Sequence, residues 1–410
     1  MRSVCLVVQN VYDKDPRVRR KAEALAEAGY VVDVLSLRAP GGKKRYSLND
    51  VNVRTVALSK RRGSLARYLI EYATFFLWVL FRVPLQMLSR RYDAIDVNTL
   101  PDFLVFAPII AKWMGARVIL DMHEITPEFY MSKYGVAADS FTIRLLTWLE
   151  RISFQFADRV ITINRPIEDL LVSRGLDRAR SAIIMTAVDE ARFVGHCAAP
   201  EVPVEPDREK FVMMYHGTLT HLYGLDIAVE ALAISHSDIP EAELWILGSG
   251  TEEEALASLA AERGIASKVR LLGQVPPAEI PAWLSRCDVG ILPIRRDVFL
   301  DFAFPNKLPE FIIAGKPVLV SRLAAIRYYF PEDVLAYFEP NDPADLAKQM
   351  IGLCRNRPRC VELVDKAREA YKPIRWEIMK RRYLALVGAR GIDAIPEKPA
   401  PVSATGVKAE

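Results

Sequence analysis

The chain has no CxxC pair, and its five cysteines, Cys5, Cys197, Cys287, Cys354 and Cys360, are scattered and odd in number. That excludes a disulfide framework and a cysteine zinc site and fits a reducing compartment. Long apolar runs are also missing. The most apolar segment, 68–88, contains Glu71, Arg82, Pro84 and Gln86. Its longest charge-free run is 72–81, well short of the roughly 20 residues a membrane span needs. The N-terminal MRSVCLVVQN reads straight into a strand, its apolar run too short for a signal peptide. Nor does one charge dominate. The 55 Lys and Arg stand against 51 Asp and Glu, a net +4, which by itself points to no nucleic acid. No base-stacking aromatic pattern accompanies that charge. The expectation is a cytoplasmic protein with no nucleic-acid partner.

What is present is size and rhythm. At 410 residues the chain exceeds the usual single-core limit, so two domains are expected. Short apolar runs alternate with helical patterns from residue 4 to 185 and again from 211 to 338. Such a rhythm predicts an α/β fold with doubly wound parallel sheets. The N-terminal domain is placed at 1–194, a proline-containing linker at 195–208 and the C-terminal domain at 209–370. A final helix in 371–392 could fold back over the first domain, and 393–410 reads as a disordered tail. Between Arg38 and Arg67 there are nine Lys or Arg and one acid, Asp50. This stretch is either a solvated loop or a face for phosphate or an anionic membrane. The segment 68–88, flanked by Lys60, Arg61, Arg62 and by Arg90, Arg91, is either an interfacial helix peripheral to that membrane or a buried one.

The stretch 295–321, RRDVFLDFAFPNKLPEFIIAGKPVLVS, gathers charge at the mouth of a short helix. Asn306 is a good N-cap, Pro309 forfeits no bond in the first turn, and Gly315 with Pro317 marks the end. Val318, Leu319 and Val320 then read as a strand buried on both faces. Arg295, Arg296, Asp297, Asp301 and Lys307 precede or open the helix, and Glu310 lies one turn inside. A helix start beside a lysine and two arginines suits an anion, and the carboxylate could accept bonds from ribose hydroxyls. The same residues could equally be a charged surface loop capping a core helix.

In paired doubly wound domains, ligands gather at the carboxyl ends of the strands, facing the cleft between domains. After the strand at 117–120 comes DMHEITPEFY, with Asp121, His123, Glu124 and Glu128 close together. His123 is expected to hydrogen-bond a sugar or stabilise developing charge, the alternative being a structural histidine. The spacing fits no standard metal motif. After 211–215 comes HGTLTHLYG, where Gly217 admits a ligand to the backbone and Thr218 can donate to phosphate. GSGTEEE then places Gly248 and Gly250 in a turn open to a neighbouring base or sugar. GQV, ending in Val275, offers main-chain groups to a base edge. The loop 10–20, with Asp15, Arg17 and Arg19, is the acceptor candidate, or else a helix start with solvated charges.

The segments VNTLPDFLVFAP, ILDMHEITPE, ADRVITIN, YHGTLTHLYGLDIAVEALA, WILGSGTEEEAL, VRLLGQVPPAEIPAWLSRCDVGILPI and FPNKLPEFIIAGKPVLVS resemble, in order and spacing, the retaining GT-B glycosyltransferases of family 4. The resemblance runs from Val4 to about Ala347. It implies two Rossmann-like domains facing a central cleft, and no metal or cofactor. A nucleotide-diphosphate sugar would be held mainly by the C-terminal domain, through Gly217, Thr218, Gly248, Gly250, Val275, Arg295, Arg296, Lys307 and Glu310. A glycan or lipid-linked acceptor would sit on the N-terminal domain, near Asp15, Arg17, Arg19, Glu124 and Glu128. His123, Asp301 and Lys307 are the catalytic expectations. Glu310 matches the second glutamate of the family's Glu-seven-residues-Glu motif. The first position holds Phe302, with Asp301 one residue out of register as its substitute. Many members grip the diphosphate with an Arg and a Lys where this chain has Thr218 and Tyr223, so Lys307, Arg295 and Arg296 must supply that charge. The resemblance implies transfer by front-face attack, with the leaving phosphate taking the acceptor's proton. The competing reading is a non-catalytic sugar-nucleotide-binding or partner-binding subunit.

Overall fold

Buried strands alternating with one-sided helices build two parallel sheets. The computed structural model describes residues 2–58, 65–188, 190–193 and 210–388. The expected linker 195–208 and tail 393–410, with Lys60, Arg61, Arg62 and Cys197, lie outside them. The described residues fall into two units, one of 2–186 with 377–388, the other of 187–376.

The first unit runs β1 (Ser3–Val11), α1 (Pro16–Glu27), β2 (Val31–Leu37), β3 (Arg45–Leu48), β4 (Val51–Val56), α2 (Leu65–Met87), β5 (Ala94–Asn98), α3 (Ile109–Trp113), β6 (Arg117–Met122), α4 (Thr126–Tyr134), α5 (Phe141–Phe156), β7 (Arg159–Thr162), α6 (Arg165–Ser173) and β8 (Ser181–Ile183). Its sheet has the order β3-β4-β2-β1-β5-β6-β7-β8, parallel except for the β3–β4 hairpin. β1 leads to β2 on one side and pairs β5 on the other. That reversal opens a crevice at its carboxyl end.

The second unit runs β9 (Phe211–His216), α7 (Leu225–Ser235), β10 (Ala242–Leu247), α8 (Glu253–Glu262), β11 (Val269–Gly273), α9 (Ile280–Ser285), β12 (Val289–Leu292), α10 (Lys307–Ile313), β13 (Val318–Ser321), α11 (Ala324–Tyr329), β14 (Ala336–Phe338), α12 (Pro343–Arg355) and α13 (Arg357–Tyr371). The sheet order β11-β10-β9-β12-β13-β14 is the doubly wound dinucleotide-fold order, with its switch point beside β9. The last helix, α14 (Trp376–Gly388), packs in the first unit. There Met379, Tyr383 and Leu386 are fully buried.

Three local expectations change. The basic stretch 38–67 contains a hairpin, turned at Asn49 and Asp50 with positive φ. Val51, Val53 and Thr55 are buried and alternate with Asn52, Arg54 and Val56, a period of two that the charges disguise. Within the helical patterns expected of 4–185, the segment 102–113 divides into a 3-10 turn, Asp102–Phe106, and α3, because Pro108 interrupts it. Asn306 sits at the α10 N-cap with helical backbone angles and its side chain makes no capping bond. Gly315 does end α10 as expected, with φ +69° and Gly315 N donating to Ile312 O.

Candidate active site

In the second unit the ends of β9, β10 and β11 and the first turn of α10 enclose a cavity of about 270 Å³. Gly217, Thr218, Gly248, Val275 and Glu310 line it, together with His216, which sequence reasoning passed over. His216 is the last residue of β9, and its ring packs on Phe311 with centroids 5.2 Å apart. Burial, with the nearby Lys307 charge, pushes its pKa down to about 3, so the imidazole is neutral at physiological pH. Its Nε2 lies 3.3 Å from Glu310 Oε2 and is buried with no hydrogen-bond partner among the described residues.

Lys307 is half-buried at the first position of α10. Its Nζ sits 4.2 Å from the ring centroid of Tyr223 and 5.0 Å from that of Tyr215. Among the described residues no carboxylate lies within ion-pair distance of it. Burial lowers its pKa to about 8, against the raising influence of Glu310. Lys307 is therefore a cation held by aromatic faces and available to an anion. It leans against Gly217, whose φ is +126°, and a methyl group at that position would collide with the lysine side chain. A second close approach is at Gly248, where a Cβ would meet the Gly217 carbonyl. The two turns thus lie backbone against backbone, with Gly217 N donating to Leu247 O at 2.8 Å and Gly248 N to Gly273 O at 2.7 Å.

The other expected donor residues are placed elsewhere. Arg295 pairs with Asp226 and donates to His221 O at 3.1 Å. Arg296 donates to Arg322 O and lies 3.7 Å from Asp301. Asp301 accepts from Ala324 N at 3.0 Å, at the start of α11. Gly250 bridges Leu219. None of these four lines the cavity, and the charges of the loop 295–306 are spent on its neighbours, Asp226, His221, Arg322 and the start of α11. Of the three cations expected to serve the diphosphate, Lys307 alone is without a carboxylate partner among the described residues.

In the first unit, strand-end polar residues converge at the β1/β5 crevice. Lys21, from α1, is buried, with Nζ 2.6 Å from Asn98 Oδ1 and 3.1 Å from Asp96 Oδ2, and it also bonds Asp121. Burial alone would lower its pKa, but Asp121 and Asp96 reverse this and raise it. Tyr383 of α14 donates to Asp96 at 2.6 Å. His123 Nε2 lies 3.1 Å from Asn98 Oδ1. That oxygen accepts, so Nε2 carries the proton and Nδ1 is the bare nitrogen. Nδ1 is buried and has no partner among the described residues. Burial, with the Arg17 and Lys21 charges, holds the His123 pKa well below its usual range, so the ring is neutral. Lys21, Asp96 and Asn98 were not anticipated. The signal was two polar residues inside the otherwise apolar strand AIDVN.

The acceptor candidates divide in the same way. Asp15 caps α1 through Val18 N, accepts from Asn10 at 3.1 Å and pairs with Arg17 at 3.3 Å. Arg19 is taken by Glu23 at 2.8 Å. Glu128 is buried in an ion pair with Arg174, which also holds Glu150 at 2.9 Å. Those two carboxylates knit α4, α5 and the end of α6 together. Glu124 is half-buried without such a partner, and burial raises its pKa. Among the described residues no three His, Cys, Asp or Glu side chains are grouped to hold a metal.

Residues 210–356 match the family model of Glycosyl transferases group 1, and residues 15–186 match that of the Glycosyl transferase 4-like domain. The chain belongs to the group 1 glycosyltransferases. This glycosyltransferase is 27% identical to the probable glycosyltransferase WbjE of Pseudomonas aeruginosa over 289 residues, which cover 69% of this chain and 71% of that one. Its fold is GT-B. Sucrose-phosphate synthase from Thermosynechococcus elongatus superposes with a TM-score of 0.72 at 18% identity, covering 93% of this chain and 97% of that one. Anabaena HepE, solved with UDP-glucose, gives 0.66 at 15% identity over 94% and 99% of the two chains.

Proposed function

We propose that this glycosyltransferase moves a sugar from a nucleoside-diphosphate donor to a glycan or lipid-linked acceptor, with retention of configuration and without a metal, in the assembly of a surface polysaccharide. The observation that carries the reading is Lys307, a cation with no carboxylate partner beside the Gly217 turn and the Glu310 carboxylate. A diphosphate leaving group gains negative charge as the glycosidic bond breaks. A preplaced cation stabilises that charge without reorganising. Glu310, on the cavity wall, accepts bonds from the ribose. His123 offers its bare Nδ1 to a sugar hydroxyl, and Asn98 and Lys21 fix the tautomer that leaves it bare. The names of relatives lend support: one is a teichuronic acid biosynthesis glycosyltransferase and another an amylovoran biosynthesis glycosyltransferase. The WbjE and HepE likenesses add a glycosyl-transfer setting and a UDP-glucose complex.

Thermal-shift screening of nucleotide sugars identifies the donor, since a ligand of the native state alone raises its apparent stability. Calorimetry with that donor then compares Lys307→Ala and Glu310→Ala with the parent. Each is expected to weaken binding about ten- to a hundredfold, the worth of a charged hydrogen bond, with the melting temperature kept. Undiminished affinity in both variants sinks the assignment. The anomeric configuration of the product, read by NMR, decides retention.

A further inference from the structure

A second cavity, of about 430 Å³, lies in the first unit between the β3–β4 hairpin and the C-terminal turn of α2. Its walls carry Arg45, Arg54, Gln86 and Arg90, with Asp33 and Tyr92 behind them. The one carboxylate there is already engaged: Asp33 accepts from Tyr92 Oη at 2.6 Å and from Arg90 at 3.3 Å. Arg45 and Arg54 stand directly opposite each other in the hairpin register. Like charges in that position oppose strand pairing. Arg82, one turn before Gln86 on α2, feels both, and its pKa is lowered by burial and by their repulsion. Among the described residues none of these three arginines has a carboxylate within ion-pair distance. Gln86 is only 5% exposed, lines the cavity, and has no partner for either its carboxamide oxygen or its nitrogen. A buried amide left unsatisfied costs free energy that a ligand would recover. Converging unpaired guanidinium groups and one idle amide describe a site for a phosphate group.

The outer face of the same helix says where that phosphate comes from. Leu77, Phe81, Leu85 and Leu88 are 50–78% exposed and recur at helical spacing along one stripe. Exposed Arg90 and Arg91 follow the stripe. A soluble phosphate needs no apolar stripe beside its pocket, whereas a lipid brings acyl chains along with its headgroup. We infer that this cavity binds the phosphate of an anionic lipid headgroup, with Arg45 and Arg54 neutralising it and Gln86 donating to it. The Leu77–Leu88 stripe then lies in the acyl boundary. No step of this assignment depends on the donor cavity, so donor binding and lipid binding fail or succeed separately.

The test is co-sedimentation of the full chain with vesicles of phosphatidylcholine alone or mixed with phosphatidylglycerol, with soluble glycerol 3-phosphate as a third probe. The expected result is binding to the mixed vesicles only, weakening as salt is added. The double variant Arg45→Gln/Arg54→Gln should lose about tenfold or more of that binding, and Gln86→Leu several-fold. Phe81→Ser/Leu85→Ser should also lose vesicle binding. The arginine variant should melt no lower than the parent, because it removes a repulsion. Equal binding to phosphatidylcholine alone, or parental binding by the arginine and Gln86 variants, overturns the site. Saturable, arginine-dependent binding of glycerol 3-phosphate without binding to vesicles overturns the lipid assignment in favour of a soluble phosphate.

Discussion

Each unit presents a lysine at the carboxyl end of its sheet, and the two lysines stand in opposite electrostatic conditions. Lys21 is fully neutralised by Asp96 and Asp121 and shares Asn98 with His123. Lys307 has two aromatic faces and, among the described residues, no carboxylate partner. A cation whose charge is already answered holds a geometry, here the tautomer of His123. A cation whose charge is unanswered waits for an anion. The same residue type thus builds the first site and, in the function proposed, operates the second.

The largest expected effect tests the building role. Lys21→Met leaves Asp96 and Asp121 buried without their counterion, which should lower stability by about 3–5 kcal/mol. A urea melt that moves by less than about 1 kcal/mol would erase the contrast with Lys307. The operating role is read by pH. The Lys307 ammonium holds its proton below about 8, where burial places its pKa. Donor affinity should therefore be full at pH 7 and fall by up to about tenfold per unit above 8. Lys307→Arg should flatten the profile between pH 7 and 9, and a profile unaltered by that exchange refutes the role. Next comes Gly217→Ala, which forces a side chain into positive φ and against Lys307. A loss of about 1–3 kcal/mol should accompany weaker donor binding, both measurable in one calorimetric and thermal-melt series. The smallest effect belongs to Tyr383→Phe, which removes the 2.6 Å bond to Asp96. It should cost about 1–2 kcal/mol and leave donor affinity untouched.

Much of the architecture was legible because buried parallel strands write themselves as short β-branched runs, as in Val318–Ser321, whose four residues are all buried. The turns at Gly217 and Gly248 were legible as the glycine breaks that follow β9 and β10, and both have positive φ. The loop 295–306 was less so. Its arginines and Asp301 read as ligand groups, and only three-dimensional neighbours, Asp226, Arg322 and the start of α11, show where their charges are spent. Glu128 misled for the same reason, since its partner Arg174 lies 46 residues away. Lys21 was invisible for a subtler one. In a helix pattern a lysine reads as solvent-facing, and nothing local announces two aspartates from separate strands. The β3–β4 hairpin kept its alternation under a coat of basic residues, so charge was noticed before period.

The return of α14 has a temporal side. Asp96 and the Tyr383 hydroxyl that it accepts from are 287 residues apart in the chain. At ribosomal rates of about 5–20 residues per second, roughly 15–60 s pass between the synthesis of the two. Throughout that interval the first sheet can form but its buried Lys21–Asp96 pair lacks a cover, while the whole second unit is being made. A chain stopped short of α14 would carry the second unit and a first unit without the Met379, Tyr383 and Leu386 side chains that it buries.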